Sequence, residues 1–296
     1  MDIVDAQLHI GPGMIDTILE GMNSLGIRAV LIDEFWINRL DQAPKQIDPG
    51  YRLPNGAWRA VYPVAQLASF LHPDRFSYLV RVERKDPDLE SVMRNVASQP
   101  HARAFRVLAA WSLEEAEAFA TGGYEPLMEI AQDVGLPVCV FIPGHVEYLA
   151  RYLKKFPKLT VVLDHCGIGM PHHPPGRSDA DERRTMSLEY FDAVLKLAEH
   201  PNVAMKLSHA PYLFRATGTQ YGTTQFPFDL ARKQLRRAIQ AFGAERLMWA
   251  SDKTVIRSHT WSDLLHWLKD DPDLSHEEKE WILGGTARRI LKWPAA

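Results

Sequence analysis

Cysteine is almost absent: a chain of 296 residues carries two, Cys139 and Cys166, both inside apolar runs. That leaves no disulfide framework and fits a protein kept in a reducing compartment. An excess of one charge is lacking too, because 34 basic and 37 acidic residues leave a net charge of −3. The basic residues are scattered, so nothing selects nucleic acid or an anionic membrane as a partner. No apolar run approaches the roughly 20 residues that span a bilayer. The N-terminus shows no basic segment followed by an apolar one, so no secretory leader is expected. A cytoplasmic protein is the resulting expectation. A glycine-rich phosphate loop is missing after the first apolar run, where Gly11-Pro12-Gly13 has the wrong spacing for a dinucleotide fingerprint. Repeats and low-complexity segments are absent, and no linker divides the chain. One domain over residues 1–296 is expected, long enough for a large core.

Short apolar runs alternate with helical patterns from end to end. The runs predict strands near Ile3–Ile10, Arg28–Glu34, Phe76–Glu83, Ala102–Ala109, Pro137–Ile142, Thr160–Cys166, Val203–Ser208 and Arg246–Ser251. Several are continuously apolar, as in Val138-Cys139-Val140-Phe141-Ile142, which indicates burial on both faces and hence a parallel sheet covered by helices. Between them, Ile15, Ile18, Leu19, Met22 and Leu25 recur at helical spacing, with Gly26 suited to the helix end. Leu188, Phe191, Leu195 and Ala198 form a second stripe, and Leu235, Ala238, Ile239 and Phe242 a third. Eight strand–helix units point to the α/β class and a (β/α)8 TIM barrel. Three connections are long: 35–58, 167–186 and 209–228. In a barrel all three lie on the C-terminal face, where substrate is handled.

Polar residues recur where the predicted strands end. They are Gln7 and His9, Asp33 and Glu34, Arg81 and Glu83, Arg106, Asp164 and His165, Lys206 and Ser208, then Ser251, Asp252 and Lys253. A lone strand-end carboxylate or imidazole more often caps a helix or satisfies a loop amide. Several charged groups at the ends of separate strands are harder to explain that way, because charges near a barrel core are costly unless they face one another. The pair His172-His173 sits among prolines and reads as a solvated turn. The run Arg177–Arg184 mixes both signs and reads as a solvated face. His209, Tyr212, Arg215 and Tyr221 are candidates for the substrate mouth, with a lid or a subunit contact as equal alternatives. Cys166 beside His165 is assigned to packing, since neighbouring strand residues face opposite ways. Trp111 and Trp249 suit either the core or a contact in a homo-oligomer.

The ordered pieces Ile3-Val4-Asp5-Ala6-Gln7-Leu8-His9, Phe105-Arg106-Val107, Val162-Leu163-Asp164-His165-Cys166-Gly167, Asn202–Ser208, Arg246–Asp252 and Leu283–Leu291 carry a resemblance. The chain resembles the amidohydrolase-related family of TIM-barrel hydrolases and decarboxylases, in a lactonase-like branch typified by 2-pyrone-4,6-dicarboxylate lactonase. The resemblance implies that Asp252 activates the attacking water. It also implies that His165 polarises the substrate carbonyl or binds a metal, and that His9 is the second histidine of a strand-1 pair. Arg106, with Arg81, would hold a substrate carboxylate. Lys206, Ser208 and Gln7 would complete the substrate site, with a structural ion pair as the equal alternative for Lys206. Two departures stand out. Gln7 occupies the place of the first histidine, and the fifth strand ends in Ile142-Pro143-Gly144 where a histidine is usual. A remaining set of His9, His165 and Asp252 would hold zinc or another divalent metal only with an open site. The expectation is therefore a cofactor-free hydrolase of a carboxylate-bearing lactone or ester. A zinc-dependent decarboxylase or hydratase and a noncatalytic small-ligand barrel are the rivals.

Overall fold

A computed structural model of the chain describes residues 1–38, 45–168, 188–214 and 224–294. Eight strands form one parallel sheet in chain order. They are β1 (Ile3–Leu8), β2 (Ile27–Asp33), β3 (Phe76–Arg81), β4 (Ala102–Val107), β5 (Val138–Val140), β6 (Val161–Leu163), β7 (Val203–Lys206) and β8 (Leu247–Met248). The ring closes between the last strand and the first, where Ala6 N donates to the Trp249 carbonyl over 3.1 Å and Asp252 N to the Gln7 carbonyl over 2.9 Å. The expected barrel is present. All eight strands lie where the apolar runs placed them, but β5, β6 and β8 are shorter than their runs.

Helices α1 (Ile15–Leu25), α2 (Pro63–Leu71), α3 (Leu89–Ala97), α4 (Glu125–Val134), α5 (Leu149–Lys155), α6 (Leu188–Lys196) and α7 (Asp229–Phe242) cross from strand to strand, and α8 (Trp261–Lys269) follows β8. The α1 stripe ends as its sequence indicates: Gly26 takes φ 72°, and its N–H reaches the Met22 carbonyl. This left-handed cap costs a glycine little. The strand faces divide into two apolar layers. Outward residues such as Val30, Phe105 and Leu163 meet the helices. Inward residues such as Val4, Leu31, Ala104 and Met248 fill the lower barrel, and Ile290, Leu291 and Trp293 plug its N-terminal end. The plug demands a glycine: a Cβ on Gly284 would sit 1.8 Å from the Asp2 carbonyl oxygen.

The connection after β2 is not the plain polar loop its composition suggests. It holds two short antiparallel hairpins, Trp36–Asn38 with Lys45–Ile47 and Gly50–Arg52 with Trp58–Ala60. Trp249 is core, whereas Trp111 is half exposed. The segments with His172, His173, Arg177–Arg184, Arg215 and Tyr221 lie outside the described residues. No helix among the described residues is long and apolar enough to cross a membrane.

Candidate active site

The pairing of β1 with β2 slips between Asp5 and Leu8. Such a bulge re-aims side chains beside it. Asp5 turns outward, accepting from Ser251 N at 2.8 Å, Gln7 N at 3.2 Å and Trp261 Nε1 at 2.9 Å, and also from Ser251 Oγ. Burial pushes its carboxyl up to about 6, against the pull of the Ser251 hydrogen bonds. Gln7 and His9 turn inward. Lys206 Nζ donates to Gln7 Oε1 at 2.8 Å, so the amide that replaces a histidine is held by a fully buried ammonium. His9 Nδ1 meets the Asp33 carbonyl at 2.6 Å, and its Nε2 stands 3.0 Å from Asp252 Oδ1. Phe35 packs against the His9 ring at 3.7 Å between centroids.

The neighbouring strands contribute alternating charges. Asp33 at the end of β2 accepts from Arg81 Nε and Nη2, each at 2.8 Å, and from Arg106 Nη1. Burial works to raise its pKa, but Arg81, Arg106 and His9 outweigh it and hold the carboxyl far below the usual range. Arg106 is itself buried and donates from Nε to Asp164 Oδ2 at 2.7 Å. Lys206 Nζ stands 3.1 Å from Asp164 Oδ1. Asp164 is held down to about 2: burial opposes ionisation, and Arg106 and then Lys206 overcome it. Burial opposes the charge on Lys206 too, but Asp164 raises its pKa above the ordinary lysine value.

Beyond β6, β7 and β8 the backbone takes a conformation that non-glycine residues adopt rarely. His165, His209 and Asp252 have φ of 50°, 61° and 50°. Each turn throws its side chain back over the barrel mouth, and strained residues of this kind concentrate at functional sites. His209 Nε2 meets Asp252 Oδ2 at 2.7 Å. His165 Nδ1 bonds Ser208 Oγ at 2.8 Å, and its Nε2 lies 3.4 Å from Arg106 Nη2. Arg106 can only donate, so Nε2 is the accepting nitrogen. Burial, then the nearby His209, keeps His165 well below the ordinary histidine pKa and so neutral. Burial works against the charge on Asp252, but His9 and His209 hold it well below the carboxylate range. Asp252 Oδ1 is buried, with His9 Nε2 3.0 Å away and, among the described residues, no well-aligned hydrogen bond.

All eight residues expected at the site, His9, His165, Asp252, Arg106, Arg81, Lys206, Ser208 and Gln7, meet in this cluster. Three further residues belong to the cluster. His209, a candidate for the mouth, a lid or a subunit contact by sequence, touches Asp252, and only its position directly after Ser208 hints at that. Asp33 and Asp164 were seen at strand ends, but not as the counterions of Arg106. Glu34 has the bland role: it accepts from Val64 N and Ala65 N at the start of α2 and from Trp36 Nε1. Glu83 likewise accepts from the Trp58 amide. Cys166 Sγ lies 3.9 Å from the Ser208 carbonyl within the apolar core and pairs with no histidine. Tyr212 is buried and joins Ser258 and His259 through its hydroxyl.

The histidines and Asp252 also bear on metal. His165, His209 and Asp252 offer atoms within 4.8 Å of one another, so His209 takes the place expected for His9. The donor types suit zinc. The surrounding charge does not. The carboxylates of Asp33 and Asp164 already face Arg81, Arg106 and Lys206, Asp252 is contacted by His9 and His209, and the Arg106 guanidinium lies against His165 Nε2. A divalent ion would add two uncompensated charges to a buried cluster, which is costly.

A parallel barrel whose C-terminal mouth gathers histidines and carboxylates with buried cations has the layout of a barrel enzyme site. A sequence model of the amidohydrolase family matches residues 4–293, and the chain belongs to that family. It is 29% identical over 180 residues to an L-fucono-1,5-lactonase of Burkholderia ambifaria, covering 60% of this chain. The chain spans about half the length of that curated relative, 54%. An amidohydrolase of Burkholderia multivorans with bound zinc superposes with a TM-score of 0.68 at 17% identity, covering 99% of this chain and 100% of the other. A Pseudomonas putida protein described as a candidate 2-pyrone-4,6-dicarboxylic acid hydrolase gives a TM-score of 0.67 at 18% identity, covering 98% and 97%. Likenesses at this identity carry the fold.

Proposed function

We propose that the protein hydrolyses a lactone, with Asp252 as general base and protein cations in place of a metal. The observation that carries this reading is Asp252 itself: Oδ2 is fixed by His209, and Oδ1 is buried beside His9 with no well-aligned hydrogen bond among the described residues. An ionised oxygen held in that state is an acceptor for the proton of an attacking water. His9, with Nε2 3.0 Å from the same oxygen, is placed to relay that proton onward. Water adds to the lactone carbonyl, the tetrahedral oxyanion forms, and the ring C–O bond breaks. The proton taken from water returns to the departing alkoxide, giving the open hydroxy acid. Arg106 and Lys206 supply the positive field in which the oxyanion develops, an effect that is strong in a buried site. Ser208 holds His165 in place. The lactonase name of the Burkholderia ambifaria relative supports the reaction class.

The test is Asp252→Asn, assayed on a panel of lactones with the wild type beside it. The expected loss in kcat is about 10²- to 10⁴-fold, with an unchanged circular dichroism spectrum; unchanged hydrolysis would refute the mechanism. Metal content decides the electrophile. Protein purified without chelators is expected to hold far less than one equivalent of zinc and to keep its rate after dialysis against a chelator. Stoichiometric zinc, lost together with activity, would instead support the zinc-dependent rival.

A further inference from the structure

The sequence suggests that Arg106 and Arg81 clasp a substrate carboxylate, but both are spent on the protein's own aspartates. Arg106 donates to Asp164 and Asp33 and faces His165 with its remaining nitrogen. Arg81 gives Nε and Nη2 to Asp33 at 2.8 Å each. Its last nitrogen, Nη1, donates to Asp48 Oδ1, also at 2.8 Å. Asp48 stands between the two hairpins that follow β2. Its side chain is 47% exposed over an arginine that is 16% exposed. Asp33 and Asp164 take up the inner cations Arg106 and Lys206, and Arg81 lies between Asp33 inside and Asp48 outside.

We propose that Asp48 makes the site selective for uncharged lactones. Its carboxylate occupies the outward side of Arg81, where a substrate carboxylate would otherwise dock. An anionic lactone must displace Asp48 to reach that arginine. A hydroxyl-bearing neutral lactone does not meet that cost. The selectivity rests on the lactone-hydrolase reading above, whereas the occupation of Arg81 does not.

The experiment therefore separates binding from turnover. Isophthalate, a flat non-chelating dicarboxylate, is titrated calorimetrically at low ionic strength into the wild type, Asp48→Asn and the double variant Asp48→Asn/Arg81→Met. Circular dichroism checks that each is folded. Asp48→Asn is expected to bind about tenfold more tightly than the wild type or better, as when a charged hydrogen-bonding group is released. The gain is expected to vanish in the double variant. Equal binding by the wild type and Asp48→Asn, or a gain that survives the loss of Arg81, would overturn the proposal. In parallel the wild type is assayed on D-glucono-1,5-lactone and the anionic D-glucaro-1,4-lactone. Comparable kcat/KM on the two overturns the selectivity. Hydrolysis of no lactone at all overturns the reading of the reaction, and the calorimetry then decides the role of Asp48 alone.

Discussion

Lys206 shows what a single residue does in this molecule. Its ammonium is fully buried, 2.8 Å from Gln7 Oε1 and 3.1 Å from Asp164 Oδ1. Lys206→Met would keep the volume of the stem and remove the charge. It would strand Asp164 beside a cation count reduced by one and leave the Gln7 carbonyl without its donor. Breaking a buried pair from one side costs about 3–5 kcal/mol. A fall of that size in the urea unfolding free energy is expected, and a value near zero would mean that Lys206 is not held as a charge. At this scale the sequence was informative where position alone decides. His9, His165 and Asp252 fall at strand ends, and any barrel brings strand ends together. It was silent on pairing. That Asp33 and Asp164 neutralise Arg106 depends on side-chain directions across three strands, and no local pattern encodes that.

The bulge in β1 belongs to the scale of elements. It joins β1, β8 and α8 through one carboxylate, Asp5, which serves Gln7, Ser251 and Trp261. Because burial pushes Asp5 up to about 6, above the roughly 3.9 of an unfolded aspartate, folding takes up a proton there. Its contribution to stability is full below about pH 4 and is lost as pH rises through 6. Asp5→Asn removes that titration. The stability of the wild type relative to Asp5→Asn is therefore expected to fall between pH 4 and pH 7, measured by urea midpoints at each pH; a difference flat with pH would show that Asp5 does not titrate in this range. The eight strands were legible because continuous apolar runs report burial on both faces. Their C-terminal ends were not: β6 stops at Leu163 because His165 and Cys166 turn left-handed, a conformation that neither residue type announces. The hairpins after β2 were equally hidden, since short polar strands lack an alternating pattern.

For the molecule as a whole, the two cysteines offer a probe. Cys139 lies in the inner barrel layer and Cys166 in the outer one, both fully buried. Burial raises the thiol of Cys139 to about 11 and that of Cys166 further. Thiolates are the reactive form, so at pH 8 neither should be alkylated by iodoacetamide in the native protein. Both should react together once denaturant opens the barrel, read by intact mass. Modification of one cysteine long before the other would show that the two layers come apart separately.

The bond between Lys206 and Gln7 has a consequence for how this barrel could change its chemistry. Gln7→His alone would place a second imidazole directly against a buried ammonium, so the neighbour that stabilises the amide would repel a metal ion brought to the new ring. Two positions 199 residues apart in the chain would have to change together. Substitutions of one residue at a time would meet a trough between an amide held by Lys206 and a strand-1 pair of histidines.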